Sequence, residues 1–184
     1  MKTLNRILTI SLLIFICFPQ HLEAQKYRSN SSTIHFYSSA PVEDIEATNL
    51  DGQSALDIST NEIVFSIPIK SFTFEKSLMQ EHFNENYLES DKYPKSTFRG
   101  NILGLDVTKK SWQDVKVKGK LSIHGVENDI SYEGKIIIED GTLKIESKFQ
   151  IKLVDYKIKI PKVVFYNIAE IIDVTVKFEY EKTE

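Results

Sequence analysis

Cysteine is nearly absent from this chain: Cys17 is the only one in 184 residues. It lies inside an N-terminal apolar run, so a chain processed beyond that run has no disulfide, thiolate nucleophile or cysteine metal site. Glycine is scarce, with seven residues, and neither a Gly-rich phosphate loop nor a dinucleotide fingerprint occurs. No serine occupies Gly-x-Ser-x-Gly, the most legible hydrolase signature. Basic clusters are missing as well. The 23 Lys and Arg stand against 26 Asp and Glu, a net of −3, which argues against nucleic acid and anionic membrane surfaces as partners. Linkers rich in proline or serine, repeats and long charge blocks are also lacking, so nothing marks a second domain.

What is present begins with a leader. Lys2 and Arg6 precede an apolar run from Ile7 to Phe18, then Pro19 and a polar stretch ending Leu22-Glu23-Ala24. This is the pattern of a secretion signal cleaved after Ala24. The run falls short of the ~20 residues a helix needs to cross a bilayer. Bulky Ile16 before Cys17 argues against lipidation. The expected mature chain is one domain, residues 25–184, periplasmic or secreted. Its 160 residues carry 21 basic and 25 acidic side chains, a net of −4, and are enough to bury a core without staples.

Period-two alternation dominates that chain and predicts strands. Ile63, Phe65, Ile67 and Ile69 share one face. Val115, Val117, Gly119, Leu121 and Ile123 share another, with Lys116, Lys118, Lys120 and Ser122 opposite. Leu143, Ile145, Ser147, Phe149 and Ile151 repeat the pattern, as do Ile172, Val174, Val176, Phe178 and Tyr180. Asp51-Gly52 and Asp140-Gly141 can supply the positive φ angles of tight hairpins, and 124–128 reads as a slightly longer hairpin loop. These features predict an all-β antiparallel sheet, closed into a barrel or packed as a two-sheet sandwich. One segment departs from the strand rhythm. Leu78, Met79, His82, Phe83 and Tyr87 recur by threes and fours over 75–87, a short amphipathic helix ending before Tyr93-Pro94. Across a barrel it would form a lid or plug.

Two motifs carry a family resemblance. Residues 77–98 read SLMQEHFNENYLESDKYPKSTF, and 119–126 read GKLSIHGV. With Ser77-Leu78, Lys92-Tyr93-Pro94, Phe98 and the His124-Gly125-Val126 turn, the chain resembles the YceI family of lipocalin-like periplasmic proteins. The resemblance implies an antiparallel lipocalin-like β-barrel with one short helix, holding a polyisoprenoid or other long-chain lipid. Phe74-Glu75 stands where the family often has a glycine, and Met79 to His82 where it often has an Arg-Asp pair.

The candidate ligand-binding residues are the apolar and aromatic set of the strands and helix: Phe65, Ile67, Phe72, Phe74, Leu78, Met79, Phe83, Tyr87, Phe98, Leu121, Ile123 and Phe149. Either they line an empty cavity, or they fill the core themselves. In the second case the protein is an interaction module for an envelope protein partner, using Asn84, Asn86 and Glu89 beside Tyr87 and Tyr93. A homodimer is the further partner considered. His82 with Glu85 or Asn86 has metal-ligand spacing but lacks a third ligand, and reads as a half-buried lid histidine. His124 reads as a turn residue and His35 as solvent-facing. Glu43-Asp44 reads as solvated loop charge. No catalytic residue, cofactor or metal is expected, and residues 156–168 fit no element.

Overall fold

The computed structural model describes residues 26–39, 44–160 and 169–183. The expected leader lies outside these residues, as does 161–168 of the segment that fits no element. The strands are β1 (Lys26–Ser38), β2 (Ile45–Asn49), β3 (Gln53–Asp57), β4 (Glu62–Pro68), β5 (Thr73–Phe74), β6 (Lys95–Leu103), β7 (Gln113–Ile123), β8 (Val126–Glu139), β9 (Thr142–Lys152) and β10 (Ile171–Lys182). All pairings are antiparallel. Eight strands, in the order β1-β3-β4-β6-β7-β8-β9-β10, close on themselves through a β10–β1 ladder from Tyr27↔Lys182 to Tyr37↔Asp173. The fold is therefore a closed barrel rather than a sandwich, and closure removes the free edges of an open sheet.

On the side away from β10, β1 serves two partners. Its first residues pair with β3, and Ile34 to Ser38 pair with β2, which carries the short β5 on its other side. A register shift between Ser29 and Ser31 separates the two stretches, as a bulge that bends a strand would. Asp51-Gly52 is therefore not a hairpin turn, because β2 and β3 both pair with β1 and not with each other. Gly52 serves space instead: a Cβ there would lie 2.5 Å from the Ile34 Cδ1 atom. Asp140-Gly141 does form the expected turn, with φ of 49° and 80°. His124-Gly125, at 52° and 71°, makes a two-residue turn where the sequence suggested a longer loop.

Alternation sorts the barrel by polarity. Ile63, Ile136, Ile145, Phe178 and Tyr180 point inward and are buried. The outer face carries charge ladders such as Lys144–Glu179 at 2.7 Å, Lys116–Glu133 at 2.8 Å and Lys120–Glu127 at 2.9 Å. An apolar inside and charged outside reverse the polarity of a membrane-spanning barrel. Midway along the wall, Gly100 and Gly119 face each other across β6 and β7. A Cβ on either would sit 2.3 Å from the opposing main-chain oxygen, so only glycine allows this approach.

One end of the barrel is capped by the helix α1 (Ser77–His82) and a π-helical turn, Phe83–Tyr87. The Leu88 amide donates to the Phe83 carbonyl at 2.9 Å, closing the widened turn. The sequence predicted one helix over 75–87; the end of that span is this wider coil.

Candidate ligand cavity

The interior is not filled. A cavity of about 450 Å³ runs beneath the helix, walled by residues from every barrel strand except β3. All twelve sequence-predicted residues line it. Phe65 and Ile67 come from β4, Phe98 from β6, Leu121 and Ile123 from β7, and Phe149 from β9. Phe72 and Phe74 enter from the segment before the helix. Met79, Phe83 and Tyr87 face inward from the cap, and Leu78 lies at its exposed rim.

The cap closes on an aromatic cluster. The Phe36 ring stacks on Phe83 at 5.5 Å and 20°, and meets Phe72 and Phe74 at 5.5 and 5.7 Å. Phe83 meets Phe74 at 5.0 Å. Such pairs add to area burial through ring quadrupoles, and here they hold the cap to β1. Phe36 was not among the sequence candidates, although its alternation with Ile34 was the available signal. Also missing from that set were Ile130 and Tyr132 of β8, both of which line the cavity.

Chemically the lining is almost entirely apolar. Its polar members are Ser38, His82, Tyr87, Ser96, Thr97, Tyr132 and Ser147, and no Lys, Arg, Asp or Glu occurs among the described lining residues. Burial raises the Tyr87 and Tyr132 phenols above their ordinary range, with the charge of Asp155 adding to the effect at Tyr132. Both stay neutral and act only as hydrogen-bond groups. The opposite end is sealed. Tyr180 donates to the Ser54 hydroxyl at 2.6 Å, which donates to the Val64 carbonyl at 2.8 Å, so the buried phenol is satisfied. Tyr27, Leu56, Ile63 and Leu143 are buried at that end.

The histidines lie elsewhere or alone. His82 is half-buried on the cap and reaches the cavity. His35 pairs with Glu46 at 3.1 Å on the outer side. His124 is a turn residue, but a tethered one: its Nε2 atom lies 2.6 Å from a Glu89 carboxylate oxygen and its Nδ1 atom 3.2 Å from the Tyr156 carbonyl. The Tyr93 ring packs edge-on against it at 4.6 Å. This cluster pins the end of the cap segment to the β7–β8 turn, outside the cavity. No group of three metal-ligating side chains occurs among the described residues.

Comparison with known proteins agrees with this geometry. A polyisoprenoid binding domain from Saccharophagus degradans implicated in plant cell wall breakdown is similar, with TM-score 0.73 and 15% identity over 85% of this chain and 98% of that one. BcnA of Burkholderia cenocepacia is similar with TM-score 0.66 and 15% identity, over 80% of this chain and 95% of that one. A YCEI protein from Campylobacter jejuni has TM-score 0.57 and 18% identity, over 100% of this chain and 92% of that one. At these identities the likeness is one of fold. No curated protein matches the sequence. The family model for the YceI-like domain matches residues 26–180, a span that takes in the cap, the turn at His124 and every barrel strand. The chain therefore belongs to the YceI-like family.

Proposed function

We propose that this protein is a periplasmic or secreted carrier that holds a long-chain amphiphile, a polyisoprenoid or related lipid, in its barrel and performs no covalent chemistry on it. The observation that carries the reading is an apolar cavity without a charged side chain among its described lining residues. Its volume falls in the ~300–1,000 Å³ range of small-molecule sites. Each methylene moved from water into such a lining contributes about 0.8 kcal/mol, so ten offer about 8 kcal/mol before ordering costs. Polar recognition is then unnecessary for tight binding. A charged head group would be costly inside, and belongs at the rim beside His82 and the exposed Leu78. The relative from Saccharophagus degradans, described as polyisoprenoid binding, supports this ligand class. The leader-like first 24 residues support export.

Titration of the delipidated, refolded protein with a dansyl-labelled polyprenol tests the reading. Saturable binding at micromolar concentration, with a raised melting temperature, is expected because the ligand binds only the folded state. An unchanged melting temperature with no saturable signal would favour a protein-interaction module instead.

A further inference from the structure

The wall of the barrel is not continuous. The β8–β9 ladder runs from Glu139↔Thr142 to Lys135↔Glu146 and stops there. Both strands go on toward the capped end with their other neighbours, β8 along β7 as far as Val126↔Ile123 and β9 along β10 as far as Lys152↔Ile171. Above Lys135, main-chain pairing between β8 and β9 is absent among the described residues. Gly134, which has no side chain, sits at the parting point, as glycine does where strands bend or backbones crowd.

Burial changes at the same place. Below the parting, Ile136, Ile138, Leu143 and Ile145 are buried; above it, Ile130, Tyr132, Phe149 and Ile151 are only half-buried and line the cavity. The gap is spanned by side chains. At its lower edge Ser147 donates to the Glu133 carbonyl at 2.5 Å. At its top the turn Leu153–Tyr156 is held by Asn128, which donates to the Asp155 carbonyl at 2.8 Å, and by the contact of His124 with the Tyr156 carbonyl. Between these, the Tyr132 ring lies flat on Phe149 at 4.3 Å and 16°, and its hydroxyl donates to the Gln150 carbonyl at 3.2 Å.

We propose that this window between β8 and β9 is a side portal for the lipid chain, with Tyr132 and Phe149 as its movable pane. The inference rests on the carrier reading. A cavity sealed at one end and capped by an aromatic cluster at the other needs a route for a long chain. Among the described residues, the one other unladdered stretch is β1 between Arg28 and Ile34 on its β2 and β3 side. It is tied by the Ser54 amide donating to the Ser29 hydroxyl and by Ser32 donating to the Leu50 carbonyl, and it contributes no aromatic or half-buried apolar pane. Opening the window breaks one ring stack and one hydroxyl hydrogen bond and leaves the ladders on either side intact. Elements with few main-chain bonds open locally at the lowest free energy. The inner rim of Ile130, Phe149 and Ile151 gives an entering chain an apolar surface.

Two measurements test the portal. Hydrogen exchange of the full chain without ligand reads the window directly: amides of 128–134 facing β9 should exchange faster than those of 135–139. Equal protection on both sides of Lys135 would overturn the proposal. The second uses Glu133→Cys with Lys148→Cys, outward-facing positions flanking the gap, in a Cys17→Ser background. Bridging them with a short bis-maleimide, which adds one cysteine thiol to each of its two rings, should slow uptake and release of the dansyl-labelled polyprenol about tenfold or more, with little change in Kd, since a gate alters rates. Equal rates in bridged and unbridged protein would overturn the portal. Loss of all binding in both forms would instead overturn the carrier reading, and exchange still reports whether the window opens.

Discussion

The sealed half of the barrel and the capped half share the same eight strands, yet their interior side chains meet different surroundings. In the sealed half Leu56, Ile63, Leu143 and Tyr180 are all but fully buried and away from the cavity, with the Tyr180 hydroxyl satisfied by Ser54. In the capped half Phe36, Phe65, Ile67, Tyr132 and Phe149 also point inward but are only half-buried, because they border the cavity. Inward alternation is the same in both; what differs is whether a facing side chain fills the space. One half is packed solid, and the other encloses the apolar cavity.

That division can be broken by substitution. Leu143→Ala removes a fully buried side chain from the packed half and should cost about 4 kcal/mol, read by denaturant unfolding, because the hole it leaves cannot collapse. Phe149→Ala at the cavity should cost about 1 kcal/mol, since its ring already borders space. Equal losses would erase the distinction. Gly119→Ala, where the two halves join, forces a Cβ to within 2.3 Å of the Arg99 carbonyl oxygen. It should destabilise by about 3 kcal/mol.

Alkaline pH sharpens the comparison at the capped end. The Tyr156 phenol is pushed up to about 12, chiefly by burial and secondarily by the Tyr132 phenol. A phenol whose folded pKa exceeds its unfolded value of about 10 favours folding in its neutral form. Its contribution is complete below pH 10 and is lost as pH rises through about 12, an effect of about 2 kcal/mol. Tyr156→Phe should flatten that part of the stability profile, and an unchanged profile would show that another group governs it. Ser147→Trp, by filling the cavity, should weaken polyprenol binding about tenfold with little loss of stability. The smallest effect is on the outer face. Lys144→Ala should cost at most about 0.5 kcal/mol, because its partner Glu179 is exposed.

The packed wall was the legible part of this molecule. Alternation in β4, β7, β9 and β10 assigned inner and outer faces correctly, because a half-polar strand fixes its own register against the core. The cap was legible for the same reason, in a different period. β8 went unrecognised: the run Ile136-Ile137-Ile138 masks its period of two, and Gly134 interrupts it. Phe36 was hidden in a serine-rich strand. The turn at His124-Gly125 was legible but read as too long, because a non-glycine residue at φ 52° is held by contacts with Glu89 and Tyr156, distant in sequence. The parting of β8 from β9 leaves no local mark beyond one glycine, since it depends on how two ladders diverge. The empty interior was undecided for a similar reason: inward apolar residues read alike whether they meet each other or a void.

Native mass spectrometry of the protein exported from a bacterial host, with its organic extract analysed alongside, tests the carrier account most directly. The account predicts a stoichiometric co-purified lipid with a long uncharged chain, lost on delipidation and regained on adding a polyprenol. A single apo mass, unchanged after polyprenol is added, would contradict it.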